Sequence, residues 1–440
     1  MSCWRAACAV IIGRLLVGAI NGVERSSWVT HTLRDSALAP AGHDKMNWVR
    51  GRMPIVGRIR ERYLEERPLE GQRVAISLHL EAKTAVLAEL LHQGGAEVAI
   101  TSSNPLTAQD DVAAALAERG VIVHALRGAT PEEFDQLHQR VLDLEPTLII
   151  DDGGELTERL HKERAELAPG IVGGAEETTT GVLRLKALAR AQRLRYPMVL
   201  VNDADMKHLF DNRYGTGQSS WEGIMRATNL VVAGKTVVVA GYGWCGRGVA
   251  DRARGLGARV IVTEVNPVRA NEALMDGHQV MPMAEAASWG DYFVTVTGNY
   301  GVVREEHFQV MKDGAILANA GHFDVEVDVA ALKRMAKATH PGRGPESVGY
   351  ELQDGRVLWL LAEGRLVNLA AGDGHPAEIM DLTFALQALS LEDLLKTRPQ
   401  PGVYPVNPDV DAWVAKIRLQ ALNRRIDVLT PQQRDYLENS

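Results

Sequence analysis

The sequence predicts an α/β protein: two doubly wound parallel-sheet domains and a small C-terminal helical tail. Three observations carry that prediction. A strand–helix rhythm begins near Arg73, and a second one begins near Thr236. Both alternate short apolar runs with helical patterns of roughly 10–15 residues, the signature of βαβ units and a parallel sheet. The third observation is length, since 440 residues leave room for two or three domains that each bury a core. Hydrophobic residues at 46% and charged residues at 24% exclude a disordered or collagen-like chain. A net charge of −8 argues against a nucleic-acid surface. Cys3, Cys8 and Cys245 form no CxxC pair, which excludes a disulfide framework and a thiolate zinc site. No metal is expected, and the compartment reads as reducing and cytoplasmic.

Taken in order, residues 1–26 come first. Arg14 splits their apolar content into AACAVIIG and LLVGAI, too short for a membrane span and too broken for a signal peptide. The segment reads as a disordered extension outside the fold. From Ser27 to about Arg67 the spacing of Trp48, Met53, Ile55, Val56 and Ile59 predicts helix. RVAISLHL (73–80) is a buried strand, and Thr84 to Glu97 is a helix ending at Gly94-Gly95. EVAITSS, DDVAAALAERG, VIVHAL, EEFDQLHQRVLDL and TLIIDDGG continue the alternation. Strands without polar alternation fit sheets covered on both faces. The second series runs through KTVVVAGYGWCGRG, RVIVTEVN, HQVM, YFVTVTG and AILANAG. Pro399, Pro401, Pro405 and Pro408 mark a connector, and Asp409 to Arg425 is helical.

Gly241-x-Gly243-x-x-Gly246 follows the strand Lys235 to Ala240 directly and opens a helix. Such glycines permit a tight turn and close approach of backbone amides to a pyrophosphate at the helix N-terminus. Glu264 closes the next strand 18 residues after Gly246, where a carboxylate accepts from ribose hydroxyls. That carboxylate would repel a 2′-phosphate, so NAD is favoured, with Arg269 as the one feature pointing to NADP. The motif predicts an NAD-binding Rossmann domain.

Three polar clusters lie beyond strand ends, where α/β sheets bind ligands: IIDDGGELT (149–157), GGAEETTTGV (173–182) and VNDADMKHLFDNRYG (201–215). They do not match a simple hydroxy-acid dehydrogenase. Taken singly, each has a bland reading. Lys207 and Asp211, four apart, would share one helix face as a surface ion pair. Glu176 to Thr180 would be a solvated cap, and Gly321-His322-Phe323 a buried turn.

Together with SLHLEAKTA, SSNPLTAQDD, GYGWCGRG, GHFDVEVD, LAEGRLVNLA and GDGHP, these clusters resemble the S-adenosylhomocysteine hydrolases from about Ser27 to the C-terminus. The resemblance implies a cytoplasmic homotetramer of the methyl cycle, acting on a small molecule, with one tightly bound NAD per subunit. It implies reversible hydrolysis of S-adenosyl-L-homocysteine to adenosine and homocysteine. Oxidising the ribose 3′-hydroxyl acidifies the C4′ hydrogen. A base then removes it, homocysteine leaves C5′, water adds and the hydride returns. It also implies a substrate domain over 27–215 and 375–400, an inserted NAD domain over 216–374, and a segment 401–440 making oligomer contacts.

By the same resemblance, Lys207 and Asp211 stand at the 3′-hydroxyl, the lysine with a depressed pKa. Asp152 takes the C4′ proton, His79 and His322 handle protons around C5′ and water, and Glu177 holds the ribose hydroxyls. His322-Phe323 acts as a gate to the substrate channel. Thr178, Thr179, Thr180, Asn319 and Asn368 contact NAD, Asn212 orders the hinge and nicotinamide region, and His375 stands at the purine edge and second hinge. That hinge resembles a monovalent-cation site in some members.

Three departures accompany the match. Thr216 replaces a frequent cysteine, and the chain stops at Ser440 without the longer Lys…Tyr tail that reaches a neighbouring subunit. At the purine edge Glu81, Lys83 and Thr84 stand where many members have threonine at 81 and a glutamate at 83. Lys83 can only donate, which makes S-inosyl-L-homocysteine the alternative substrate; a Lys83 that points away, pairs with Glu81, or donates to purine N7 or N1 leaves adenine acceptable. A non-catalytic nucleotide-binding homologue and an ordinary NAD dehydrogenase are the competing functions.

Overall fold

The computed structural model describes residues 30–439. The reading of residues 1–26 falls outside that range. The strands are β1 (Arg73–Leu78), β2 (Glu97–Ser102), β3 (Ile122–Val123), β4 (Leu148–Asp151), β5 (Gly173–Glu176), β6 (Pro197–Leu200), β7 (Thr236–Ala240), β8 (Arg259–Thr263), β9 (Gln279–Val280), β10 (Tyr292–Thr295), β11 (Ile316–Asn319), β12 (Ala336–Pro341), β13 (Ser347–Leu352), β14 (Val357–Leu361) and β15 (Gly402–Pro405).

The first sheet has the order β15-β6-β5-β4-β1-β2-β3, with every pairing parallel. Its central strands are buried on both faces, and the edge strands β15 and β3 are partly exposed. Val74, Ile76 and Leu78 of β1 join one core with residues of the helices Ala39–Arg50, Pro54–Glu66, Ala82–Gln93 and Ala377–Thr397. Ala75, one residue out of phase, joins the opposite core with Ile149, Leu156, Leu185 and Tyr196. The chain leaves this half after Gly215 and returns at the helix Ala377–Thr397. There the buried Asp381 accepts from the N–H groups of Ile55 and Val56 at 3.0 and 2.8 Å, stitching the returning helix to the start of Pro54–Glu66.

The second sheet has the order β12-β13-β14-β11-β10-β7-β8-β9. Its six strands from β14 to β9 are parallel, but β12-β13-β14 is an antiparallel edge, so this sheet is mixed. The links 342–346 and 353–356 are far too short for a crossover, which needs about a dozen residues, so they close hairpins instead. The helix Thr216–Thr228 packs Trp221 and Ile224 into this second core.

The proline-rich stretch is not a bare connector. It contains β15, which adds a parallel edge beside β6, and the helix Pro408–Ala421 follows. Among the described residues, no helix is long and apolar enough to cross a membrane.

Candidate active site

Residues that follow strand C-termini in both sheets converge on one cavity of about 940 Å³. His79 follows β1, Asp152 follows β4, Glu177 follows β5 and Asn202 follows β6, while Gly241, Glu264 and Gly321 follow β7, β8 and β11. This is the ligand crevice that parallel α/β sheets create.

One cluster is built for proton transfer. Asp152 Oδ2 lies 3.2 Å from His79 Nε2, Asp152 Oδ1 lies 3.7 Å from His322 Nδ1, and Ser103 Oγ donates to Oδ2 at 2.7 Å. Burial alone would push this carboxyl up. His322 and His79 beside it, with the Ser103 hydroxyl, hold it below the usual range. Burial pulls the His79 imidazole down to about 4, and its Nδ1 is paired with Thr107 Oγ1 at 2.8 Å. His79, Asp152 and His322 also bring three ligand atoms within 4.8 Å of one another, a set able to hold a metal ion that the sequence reading did not anticipate.

A second cluster surrounds Lys207. The expected α-helical pairing with Asp211 is altered, because His208–Gly215 winds as a π-helix after the single turn Asp205–Lys207. Lys207 Nζ still lies 3.5 Å from both Asp211 and Glu177 carboxylates, and donates to Asn212 Oδ1 at 2.8 Å. The lysine pKa is not depressed. Burial favours the neutral amine, but Asp211 and Glu177 outweigh it and raise the pKa. Burial opposes ionisation of Asp211 too, yet Lys207 and His375 hold its carboxyl far below the usual range. Glu177 is pushed up to about 8 by burial, against the pull of Lys207. Asp211 Oδ1 lies 2.8 Å from His375 Nδ1 and thereby links this cluster to the point where the chain returns to the first sheet.

The apolar end of the cavity is lined by Leu369, Met380 and Phe384, with Glu81 and Thr84 as its polar edge. Lys83 takes one of the placements its sequence position left open, paired with Glu81. Its ammonium contacts Glu81 Oε2 at 2.7 Å and donates to Asp373 O at 2.8 Å, two residues before His375. Glu81 also caps the helix Ala82–Gln93 through the N–H groups of Lys83 and Thr84.

The other end fits a dinucleotide. A Cβ at Gly246 would lie 2.0 Å from Gly241 O, and Gly241 has φ +101°, so both positions require glycine. A Cβ at Gly243 would meet nothing nearer than Arg269 Nη1 at 3.7 Å, which leaves open space before the helix Trp244–Gly255. The Glu264 carboxylate accepts from Tyr242, Val265 and Asn266 N–H groups and borders the cavity. Asn368 Nδ2 donates to Ser219 Oγ at 3.2 Å, while its buried Oδ1 has no partner, the vacancy a carboxamide N–H would fill. Thr178, Thr179 and Thr180 line the same space. Asn319 does not. Its side chain holds the carbonyls of Gly321, Phe323 and Gly364, so it shapes the loop carrying His322.

Some functional neighbours escaped the sequence reading. Asn202 Oδ1 accepts from Asn212 Nδ2 at 3.0 Å, Thr383 Oγ1 donates to Asp211 at 2.8 Å, and Gln387 Nε2 donates to Glu177 at 2.7 Å. Thr383 and Gln387 are four apart on the returning helix, a polar pair on an otherwise apolar face. That pair was the available signal.

Comparison with known proteins gives a consistent answer. The model of the S-adenosyl-L-homocysteine hydrolase family matches residues 30–172, and that of its NAD binding domain matches residues 212–374. The chain is 56% identical over 411 residues to an S-inosyl-L-homocysteine hydrolase of Methanopyrus kandleri, covering 93% of this chain and 97% of the relative. It is 54% identical to an adenosylhomocysteinase of Pyrococcus abyssi, with the same two coverages. A third relative, an adenosylhomocysteinase of Aquifex aeolicus, is 53% identical and covers 92% of this chain and 98% of its own.

Proposed function

The chain belongs to the S-adenosyl-L-homocysteine hydrolase family, and from that premise we propose that it reversibly hydrolyses S-adenosyl-L-homocysteine to adenosine and L-homocysteine. One observation carries the reading: a His–Asp–His cluster and a lysine–carboxylate cluster face each other in one cavity whose far end is built for a dinucleotide. NAD, when bound there, supplies a reversible oxidation at the ribose 3′ carbon. Gly241, Gly243 and Gly246 would cradle its pyrophosphate, Glu264 its ribose hydroxyls and Asn368 its carboxamide.

The chain's own residues do the binding and the proton work. Lys207 remains an ammonium and stabilises negative charge on the 3′-oxygen. Glu177, at about 8, is the group of this cluster that exchanges a proton near neutrality, so the proton step at the hydroxyl falls to it rather than to a deprotonated lysine. Asp211 stays ionised and, with Thr383 and His375, fixes Lys207. Asp152, an available carboxylate, takes the proton from C4′. His79, neutral through burial, and His322 serve the leaving sulfur and the incoming water. Closing the cavity excludes bulk water from these steps.

The purine in this reading is adenine. A carboxylate at Glu81 accepts from a 6-amino group, and the inosyl alternative depended on a Lys83 donor that is turned toward Glu81 and Asp373. A cytoplasmic homotetramer completes the proposal. The test is direct: purified protein, supplied with S-adenosyl-L-homocysteine, forms equimolar adenosine and homocysteine with no net reduction of NAD. Stoichiometric NADH release would instead identify a dehydrogenase. Tight nucleoside binding without turnover would identify a non-catalytic homologue.

A further inference from the structure

We propose that Arg184 is a latch that holds the cleft shut at the mouth of the cavity. It is a positioning residue, and in its kinetic consequence the proposal rests on the hydrolase reading above. Arg184 lies on the helix Thr179–Arg190 of the first half. Its guanidinium covers the ring of Phe323, a residue of the second half, at 4.8 Å from the ring centroid. The same group donates through Nη1 to Gly153 O at 2.8 Å, in the loop that carries Asp152. One side chain therefore grips both banks of the cleft. Its neighbour Leu183 lines the cavity yet is 62% exposed, so the cavity reaches the surface beside Arg184.

The grip borders the proton-transfer cluster. Phe323 packs edge-on against His322 with ring centroids 4.6 Å apart, and His322 Nδ1 faces Asp152 Oδ1 at 3.7 Å. The two loops are in close contact, since a Cβ at Gly153 would fall 2.4 Å from His322 Nε2. Asn319 fixes the backbone beneath this segment through Gly321 O and Phe323 O, so the ring of Phe323 is the part whose position Arg184 decides. A planar guanidinium is suited to the task because it donates in its plane while its face rests on an aromatic ring. Glu155 and Glu158 stand 3.7 Å from Nη1 on the first half, a resting place for the charge once Phe323 departs. The latch thus has two sets of partners, one of which exists only in the closed cleft.

Hydrogen exchange on the NAD-loaded enzyme without substrate tests the latch independently of the reaction. In Arg184→Ala the amides of 321–325 should exchange about tenfold faster, as loss of one cation–π contact and one charged hydrogen bond permits. Phe323→Leu should give the same increase, and the double variant no more than either single one. In turnover, Arg184→Ala should raise KM for the thioether about tenfold and move kcat by less than about twofold, a split that general misfolding would not give. Arg184→Lys, which keeps the charge and loses the plane, should recover only part of this. Exchange within about twofold of wild type in Arg184→Ala, or additive effects of the two substitutions, would overturn the latch. A wild-type enzyme that exchanges as described but cleaves no thioether would instead overturn the hydrolase reading.

Discussion

At the scale of single residues, the chemistry depends on which of several buried charges yields its proton first. The sequence reading placed that role on Lys207. Two carboxylates within 3.5 Å reverse it, because their Coulombic pull exceeds the effect of burial on the ammonium. Glu177 becomes the titrating group, and its sign can be worked out. Its folded pKa, about 8, lies above the unfolded value of 4.5, so its contribution to stability is complete below about pH 4.5 and is lost as pH rises through about 8. Glu177→Gln should therefore inactivate the enzyme while its Tm gains on wild type between pH 5 and pH 8, on the order of a degree or two at the upper end. A Tm difference that stays flat over that range would refute the raised pKa. Asp152→Asn should cost about 10²–10⁴ in kcat with NAD still bound, measured by product formation and retained cofactor absorbance. Purine choice belongs to this scale too. A 6-oxo purine offers Glu81 an acceptor where it needs a donor, so kcat/KM should favour the adenosyl over the inosyl thioether by roughly 10–100-fold, and Glu81→Gln should narrow that ratio. Equal values for the two thioethers would reassign the purine edge. That His79, Asp152, Lys207 and Asp211 would line one cavity was legible because each lies in a long motif. The direction in which Lys83 points was not, since it is decided by Asp373 O, 290 positions away.

At the scale of elements, legibility followed burial. The parallel strands read clearly because both faces are covered and their apolar runs are nearly continuous. The antiparallel edge did not. β12, AKATHP, is largely exposed and carries no alternation, so its pairing with β13 had no sequence signal. β15 was hidden for a related reason, since Pro405 marks a connector anywhere except on a sheet edge, where the missing N–H costs nothing. The π-helix His208–Gly215 also escaped. Its i, i+4 pair would sit together in an ordinary helix as well, so spacing alone could not reveal the extra residue per turn. Where backbone does approach backbone, the sequence was explicit. Gly246→Ala places a methyl 2.0 Å from Gly241 O at the start of the dinucleotide helix, and one of the two segments must shift. The variant should release NAD on gel filtration and lose activity that added NAD only partly restores, while far-UV circular dichroism keeps its shape. Full retention of NAD would show that the turn tolerates the shift.

At the scale of the whole molecule, all strands of the second sheet lie between β6 and β15 in the sequence, and the first sheet is completed only when the chain comes back through the helix Ala377–Thr397, β15 and the helix Pro408–Ala421. The two crossings, near Gly215 and near His375, are adjacent in space: a Cβ at Gly215 would lie 2.8 Å from His375 Nδ1. Adjacent crossings are what a hinge requires. After Ala421 the character changes, because every residue from 421 to 439 is exposed. Ile426, Val428, Leu429, Tyr436 and Leu437 are open to solvent, and the helix Pro431–Asn439 has no buried residue. A nine-residue helix is marginal by itself in water, and apolar side chains at this density are uncommon on a surface that has no partner. The segment has the properties of one that packs on another copy of the chain, which agrees with the homotetramer proposed above. Light scattering should give the mass of four chains at micromolar concentration, and a chain ending at Ala421 should give a smaller species at the same concentration. Truncation at that point leaves both sheets and the cores packed on them whole, so the shortened chain should still fold and bind NAD. A monomeric full-length chain would remove the tetramer from the proposal. An unchanged mass after truncation would move the interface elsewhere, to the exposed Val268, Leu274 and Met275 of the helix Pro267–Met275 on the second half.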